Sequence, residues 1–196
     1  MKSLTLTTAF AALLLALPAR AEVENLVKNG TFDSTNAKGL PSVWTGNPDI
    51  AAETGISHPN YLKQIEATVM VEFDKDNPFL RATKNTDKNV ALGRQIISLE
   101  GKTGTLTVSF RARLRNLVAG TTAGWHIPRL NVAFILADGS RKNDGTTPIR
   151  ADLPQWKTFT NDFKIPENAQ SVEIAVQGAG WTGTFDIDDV LVTLKP

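Results

Sequence analysis

The stretch "TLTVSFRARLR", residues 105–115, decides the fold class. On an extended chain Leu106, Val108, Phe110, Ala112 and Leu114 fall on one face, and Thr105, Thr107, Ser109, Arg111, Arg113 and Arg115 on the other. Side chains of a strand alternate with a period of two, so this is a strand with one face in a core and one toward water. "RLNVAFIL" (129–136) repeats the scheme with Leu130, Val132, Phe134 and Leu136 inward, and "SVEIAVQ" (171–177) repeats it with Val172, Ile174 and Val176. Further strands are expected at 23–28, 66–73, 79–83, 90–99, 156–165 and 184–194.

No window of twelve residues keeps a helical period, and the strands are separated by "NG", "GKTG", "ADGS", "NDG" and "IPENA", the residue types that tight reversals require. Nine or ten short strands in one unit imply an all-β fold, a two-sheet antiparallel β-sandwich. With no composition shift and no internal repeat, residues 22–196 read as one domain.

The first 21 residues read as an export signal. Lys2 gives a positive start, "LTLTTAFAALLLALP" an apolar segment, and Ala19-Arg20-Ala21 a small-x-small cleavage pattern. The apolar segment is shorter than the roughly 20 residues that span a bilayer, so a secreted or periplasmic chain without a membrane span is expected. Removing Lys2 and Arg20 takes the formal charge from +1 to −1, which gives no field to steer a nucleic acid. With no cysteine, the chain has no disulfide, no thiolate metal site and no thiol nucleophile. The two histidines are His58 and His126, and the single tyrosine is Tyr61.

The last strand holds a conflict. In "FDIDDVLVTL" (185–194), strict alternation puts Asp186 and Asp188 with Val190, Val192 and Leu194, and Asp189 with Phe185, Ile187 and Leu191. A β-bulge at Asp188-Asp189 resolves it by letting Ile187, Val190 and Val192 all point inward. Like charges this close repel unless a cation or good donors offset them. Oxygen-only ligands suit calcium; equally, charges at a sheet edge discourage edge-to-edge pairing. In "NLVKNGTFD" (25–33), Asp33 follows an Asn-Gly turn and is a second carboxylate for the same ion if the first and last segments lie side by side.

"NLVKNGTFD", "GLPSVW" (39–44), "LGRQIISLEGKTGTLTVSFRAR" (92–113), "LPQWKTFTNDFKIPENAQSVEIAV" (153–176) and "FDIDDVLVTL" together resemble a carbohydrate-binding module of the galactose-binding-domain-like jelly-roll type, similar to families 4, 9, 16 and 22 of such modules. The resemblance implies a jelly roll, often appended to secreted glycosidases. It also implies a structural calcium held by Asp33, the Thr31 carbonyl and the Asp188-Asp189 pair, although the family usually carries Glu where this chain has Asp33. It makes Trp44 and Trp156 core plugs.

A sugar presents an apolar C–H face rimmed by hydroxyls, so its site needs an aromatic plane and a few hydrogen-bonding groups. Trp125 in "AGWHIP" and Trp181 in "GAGWTGT", set among glycines, are the candidate platforms, with His126 beside the first. Arg113, Arg115, Arg129 and Gln177 are the candidate polar contacts, and an acidic chain is attractive if the arginines share a concave sheet. The expected function is a non-catalytic, monomeric polysaccharide- or oligosaccharide-binding protein. An adhesion or assembly module of the same fold is the alternative, and a polysaccharide lyase or glycosidase a further one. No facing pair of carboxylates and no hydrolase motif supports catalysis.

Overall fold

The structure, a computed structural model, describes residues 24–37, 39–44, 62–63, 66–88, 92–120, 126–176 and 178–195. The export signal expected at 1–21, and His58, Tyr61, Trp125 and Gln177, lie outside the described residues.

The described residues form nine strands: β1 (Ala67–Asp74), β2 (Asn77–Lys84), β3 (Arg94–Ser98), β4 (Thr105–Ala119), β5 (Leu130–Leu136), β6 (Arg141–Gly145), β7 (Leu153–Lys164), β8 (Ala169–Val176) and β9 (Trp181–Lys195). They make a five-stranded sheet in the order β1-β2-β9-β4-β7 and a four-stranded sheet in the order β3-β8-β5-β6. Every pairing is antiparallel. The fold is therefore the expected two-sheet β-sandwich.

Alternation builds the core as read. Leu106, Val108, Phe110, Ala112 and Leu114 of β4 are fully buried, as are Val132 and Phe134 of β5 and Val172 and Ile174 of β8. Each such side chain contributes about 1.5–3 kcal/mol on leaving water. Phe110 stacks on Phe159 of β7 with centroids 5.3 Å apart. Under the sheets Trp44 packs on Phe32 at 5.4 Å, and its indole N–H donates to the Asn29 carbonyl at 2.9 Å.

The bulge in β9 is present. Ser109 faces Leu191 while Arg111 faces Asp188, so β9 carries one residue more than β4 over this interval. Asp189 takes up the extra length with φ 48°. Ile187, Val190 and Val192 are consequently all buried.

The chain ends meet as well, though not as paired strands. Residues 25–33 form bends and turns instead of the strand expected at 23–28. The Leu26 amide donates to the Val192 carbonyl at 2.8 Å, and the Asn25 side chain accepts from the Val192 amide at 2.9 Å while donating to the Val190 carbonyl at 3.0 Å. The asparagine thus does what a strand backbone would have done. A Cβ on Gly30 would lie 2.0 Å from the Val190 oxygen, which is why this crossing needs glycine. β6 falls where only a turn was expected; "RKNDG" has no apolar residue, since this edge strand covers no core.

One cation enters the interior. Lys84, at the end of β2, is 1% exposed, with its ammonium 4.8 Å from the Trp181 ring centroid and donating to the Gly178 carbonyl. Burial pulls its pKa down to about 8, a shift that the charge of Asp87 opposes.

Candidate functional site

The outer face of the five-stranded sheet collects the chemistry. Register places Arg81 of β2, Asp186 of β9 and Arg113 of β4 in one row across three strands, with Arg111 opposite Asp188 and Arg115 opposite Thr184. Asp186 accepts from Arg81 Nε at 2.7 Å and Nη2 at 2.9 Å, from Arg113 Nε at 2.7 Å, and from Arg115 Nη2 at 3.1 Å. Three guanidinium groups thus seal a carboxylate that solvent does not reach. Its hydrogen bond raises the Arg81 pKa further above the usual range.

Aromatic rings are interleaved with these charges. Phe79, pointing outward from β2, is 1% exposed because Arg81 (5.0 Å), Arg113 (4.8 Å) and the edge of Trp156 (5.4 Å) roof it. Trp156 of β7 is half-buried, with Arg113 4.5 Å and Arg111 5.2 Å from its centroid. Its indole N–H points to Asp74 Oδ2 at 3.4 Å, and Arg113 Nη1 donates to the same oxygen at 3.2 Å. Cation–π contacts of this kind hold a ring in one orientation. The result is an immobilised indole, partly open to solvent, in a field of charges that cancel locally.

Beside it, on the Arg111 side, lies a cavity of about 390 Å³ lined in part by Asn25, Thr31, Ser109, Thr158, Asp189 and Leu191. Arg111 Nη2 donates to Asp188 Oδ2 at 2.7 Å, and its Nε lies 2.7 Å from Asp189 Oδ2 as an ion pair outside hydrogen-bond alignment. Burial, then the like charges of Asp188 and Asp33, push the Asp189 pKa up, with Arg111 opposing.

The expected calcium ligands can be tested against this geometry. Both oxygens of Asp188 are engaged: Oδ2 by Arg111 and by Asn77 Nδ2 at 2.7 Å, Oδ1 by the Asp189 amide at 2.7 Å. Asp188 therefore does not fit as a ligand. Asp33 and Asp189 do approach each other, with the Thr31 hydroxyl donating to Asp33 at 2.5 Å. Asp33, Asp189 and the expected Thr31 carbonyl supply at most about five of the six to eight oxygens calcium takes, and among the described residues no group of three or more histidine and acidic side chains could hold a metal ion.

The sequence-predicted sugar contacts separate. Arg113 and Arg115 reach the site, but as partners of Asp186. Arg129 does not: it precedes β5 of the other sheet, packs its guanidinium over Gly145, and has its pKa lowered by burial and by Arg150. Alternation tells which residues share a face of a strand, not which sheet the strand joins. Trp181 is no platform, being fully buried with its ring edge-on to Phe185 at 6.0 Å. His126 packs against Gly180 and Gly120 at a strand end, and its carbonyl accepts from the Gly120 amide at 3.1 Å. Gln95 is buried, with both ends of its amide on the Lys28 backbone.

Trp156 is the residue that sequence reasoning misassigned. Expected as a core plug, it stands on the solvent side. Its signal was available: along "LPQWKTFTNDF", Phe159 and Phe163 share a parity that Trp156 does not.

No protein-family model matches the sequence, and no curated protein matches it. Solved structures with the same architecture do exist. One is the C-terminal family 22 carbohydrate-binding module of Clostridium thermocellum Xyn10B, at 17% identity and TM-score 0.53, covering 84% of this chain and 91% of that one. A second is the CBM22-1 xylan-binding domain of Paenibacillus barcinonensis Xyn10C, at 14% identity and TM-score 0.50, covering 90% and 97%. A third is the enzymatically active domain of bacteriophage CBA120 tailspike protein 4, at 16% identity and TM-score 0.56, where the match covers 87% of this chain and 21% of that one. The chain thus shares the jelly-roll β-sandwich fold of these structures.

Proposed function

We propose that this chain is a non-catalytic carbohydrate-binding protein that holds a neutral polysaccharide on the outer face of its five-stranded sheet, against Trp156. The observation carrying this reading is the half-buried Trp156 ring, held among Arg111, Arg113 and Asp74 and roughly perpendicular to the Phe79 ring. A fixed indole offers the C–H face of a pyranose a surface without an ordering cost. Around it Thr158, Ser109 and the arginine forks offer donors and acceptors for the hydroxyl rim. That two structures of like architecture are xylan-binding or family 22 modules supports xylan as the first ligand to try.

A neutral chain is favoured over the acidic one that the arginine count suggests. Arg81, Arg111, Arg113 and Arg115 are matched by Asp74, Asp186, Asp188 and Asp189. A uronate would have to compete with carboxylates already in place. Catalysis gains no support: Asp186 and Asp188 are committed to arginines, and neither is free to approach a glycosidic oxygen.

Affinity electrophoresis tests the proposal. Gels containing xylan or a neutral glucan are expected to retard the protein with little dependence on salt, and gels containing polygalacturonate are expected not to. No retardation in any gel would leave assembly as the function of the fold.

A further inference from the structure

Past Arg115 the outer face of the five-stranded sheet does not end; it dips into a second cleft of about 290 Å³ lined by Thr83, Lys84, Asn85, Asn116, Thr182, Gly183 and Thr184. Two local irregularities open it. Arg115 faces Thr184 while Val118 faces Thr182, so β4 carries an extra residue here, and Asn116 absorbs it with φ 56°. Opposite, Gly183 at φ 123° runs so close to β4 that a Cβ would meet the Asn116 oxygen at 2.7 Å and the Arg115 oxygen at 2.8 Å. The strands stay in contact through backbone at this point, and their side chains turn aside.

What lines the cleft is uncommitted polarity. The side-chain amides of Asn85 and Asn116 make no hydrogen bond to the described residues, nor does the Thr182 hydroxyl. Thr83 and Thr184 share one hydrogen bond, Oγ to Oγ at 3.2 Å, which leaves acceptor lone pairs and a second hydroxyl proton to use. Among the described lining residues there is no aromatic ring and no carboxylate. That set suits the hydroxyls of one sugar ring, and the volume is near the lower end for a ligand pocket.

Position links it to Trp156. Asn116 is three residues from Arg113 along β4, roughly 10 Å at strand rise. On the other side of Arg113, Arg111 and Ser109 border the first cavity. From Asn116 to Ser109 is roughly 23 Å of strand.

We propose that the Thr83–Asn85–Asn116–Thr182–Thr184 cleft is a second saccharide subsite, reading hydroxyls without an aromatic platform, and that a bound chain runs lengthwise along the β4–β9 seam from it to Trp156 and beyond. The inference rests on the proposed function, because the chain must first be a ligand of the Trp156 face. It adds a direction, parallel to the strands, and a length requirement.

Chain-length dependence tests it. Wild-type protein, Asn116→Gly and Thr182→Val are titrated calorimetrically with xylobiose and with xylohexaose. Glycine keeps the positive φ at 116, and valine keeps the strand at 182, so both variants retain the fold; equal melting temperatures check this. Both are expected to bind xylohexaose about tenfold more weakly than wild type, the loss of one or two hydrogen bonds, while xylobiose, seated at Trp156, is bound as before. Undiminished affinity of both variants for the hexamer overturns the subsite and leaves the Trp156 reading standing. Failure of the wild type to bind either oligomer overturns the subsite, and the Trp156 reading falls with it when no neutral polysaccharide retards the protein.

Discussion

The two outer faces of the sandwich carry the same kind of charge pairing and differ in what lies between the charges. On the four-stranded sheet Glu173, 5% exposed, is forked by Arg94 and Arg141, each at 2.7 Å. On the five-stranded sheet Asp186 is forked by three arginines, and Phe79 and Trp156 are wedged among them. The outward residues of β3, β8, β5 and β6 include no aromatic ring, and their large apolar side chains are the exposed Ile96 and the half-buried Ile135. Buried arginine–carboxylate clusters are thus this fold's way of covering a sheet face in a protein without disulfides. What turns one such face into a candidate site is the ring they clamp.

The strongest way to break this comparison is to remove each central carboxylate. Asp186→Ala removes a carboxylate that solvent does not reach and strands three arginines, of which Arg113 is 15% exposed and Arg115 39%, and is expected to cost about 3–5 kcal/mol in denaturant unfolding. Glu173→Ala frees only two, one of which, Arg141, is 41% exposed and can rehydrate, so about 1–2 kcal/mol is expected. Equal losses would mean that the two faces are built alike.

A second test uses two cations on opposite sides of β2. Arg81 faces Asp186, which raises its pKa, whereas Lys84 faces the interior and has its pKa lowered to about 8. The unfolded chain holds the Lys84 proton up to about 10.5, the ordinary lysine value, while the folded chain has released it. Stability is therefore expected to rise between pH 8 and pH 10.5, by an amount on the order of 3 kcal/mol. Urea unfolding across that window measures it, and Lys84→Met should flatten the slope. A slope that persists in the variant would place its source elsewhere.

Next comes binding itself. Trp156→Ala is expected to weaken xylan binding about tenfold or more, near 1.4 kcal/mol, and to lower the melting temperature by a few degrees as Phe79 loses part of its cover. Ile96→Ala, the exposed apolar residue of the other face, is expected to leave retardation unchanged. The smallest effect concerns the ion. Because the expected ligands fall short of a calcium shell, millimolar calcium or a chelator is expected to leave the melting temperature unchanged; a rise of a few degrees with calcium that Asp189→Asn abolishes would contradict this.

Much of the architecture was legible because period-two patterning acts locally. β4, β5, β8 and the bulge of β9 follow from parity and from the conflict among Asp186, Asp188 and Asp189. The first segment was legible as a neighbour of the last but not as irregular chain, since a side chain, Asn25, supplies the bonds that strand pairing would have used. The site was less legible because it depends on sheet membership. Arg113 and Arg129 look equivalent in sequence yet stand in different sheets. Glycine-rich surroundings pointed to Trp181 as exposed, whereas Gly180 and Gly183 admit the close approach of His126 and of the β4 backbone, and the ring is buried. Parity alone, applied strictly to β7, would have put Trp156 outside.

Binding on this face requires Trp156 to touch the saccharide, and indole N–H resonances report that directly. With four tryptophans the protein gives four such signals, and Trp156→Phe identifies the relevant one. On titration with xylohexaose the Trp156 indole is expected to shift progressively to saturation while those of the buried Trp44 and Trp181 stay fixed. Saturable binding that leaves the Trp156 signal unmoved, or that moves Trp125 instead, would contradict the assignment of the site to the outer face of the five-stranded sheet.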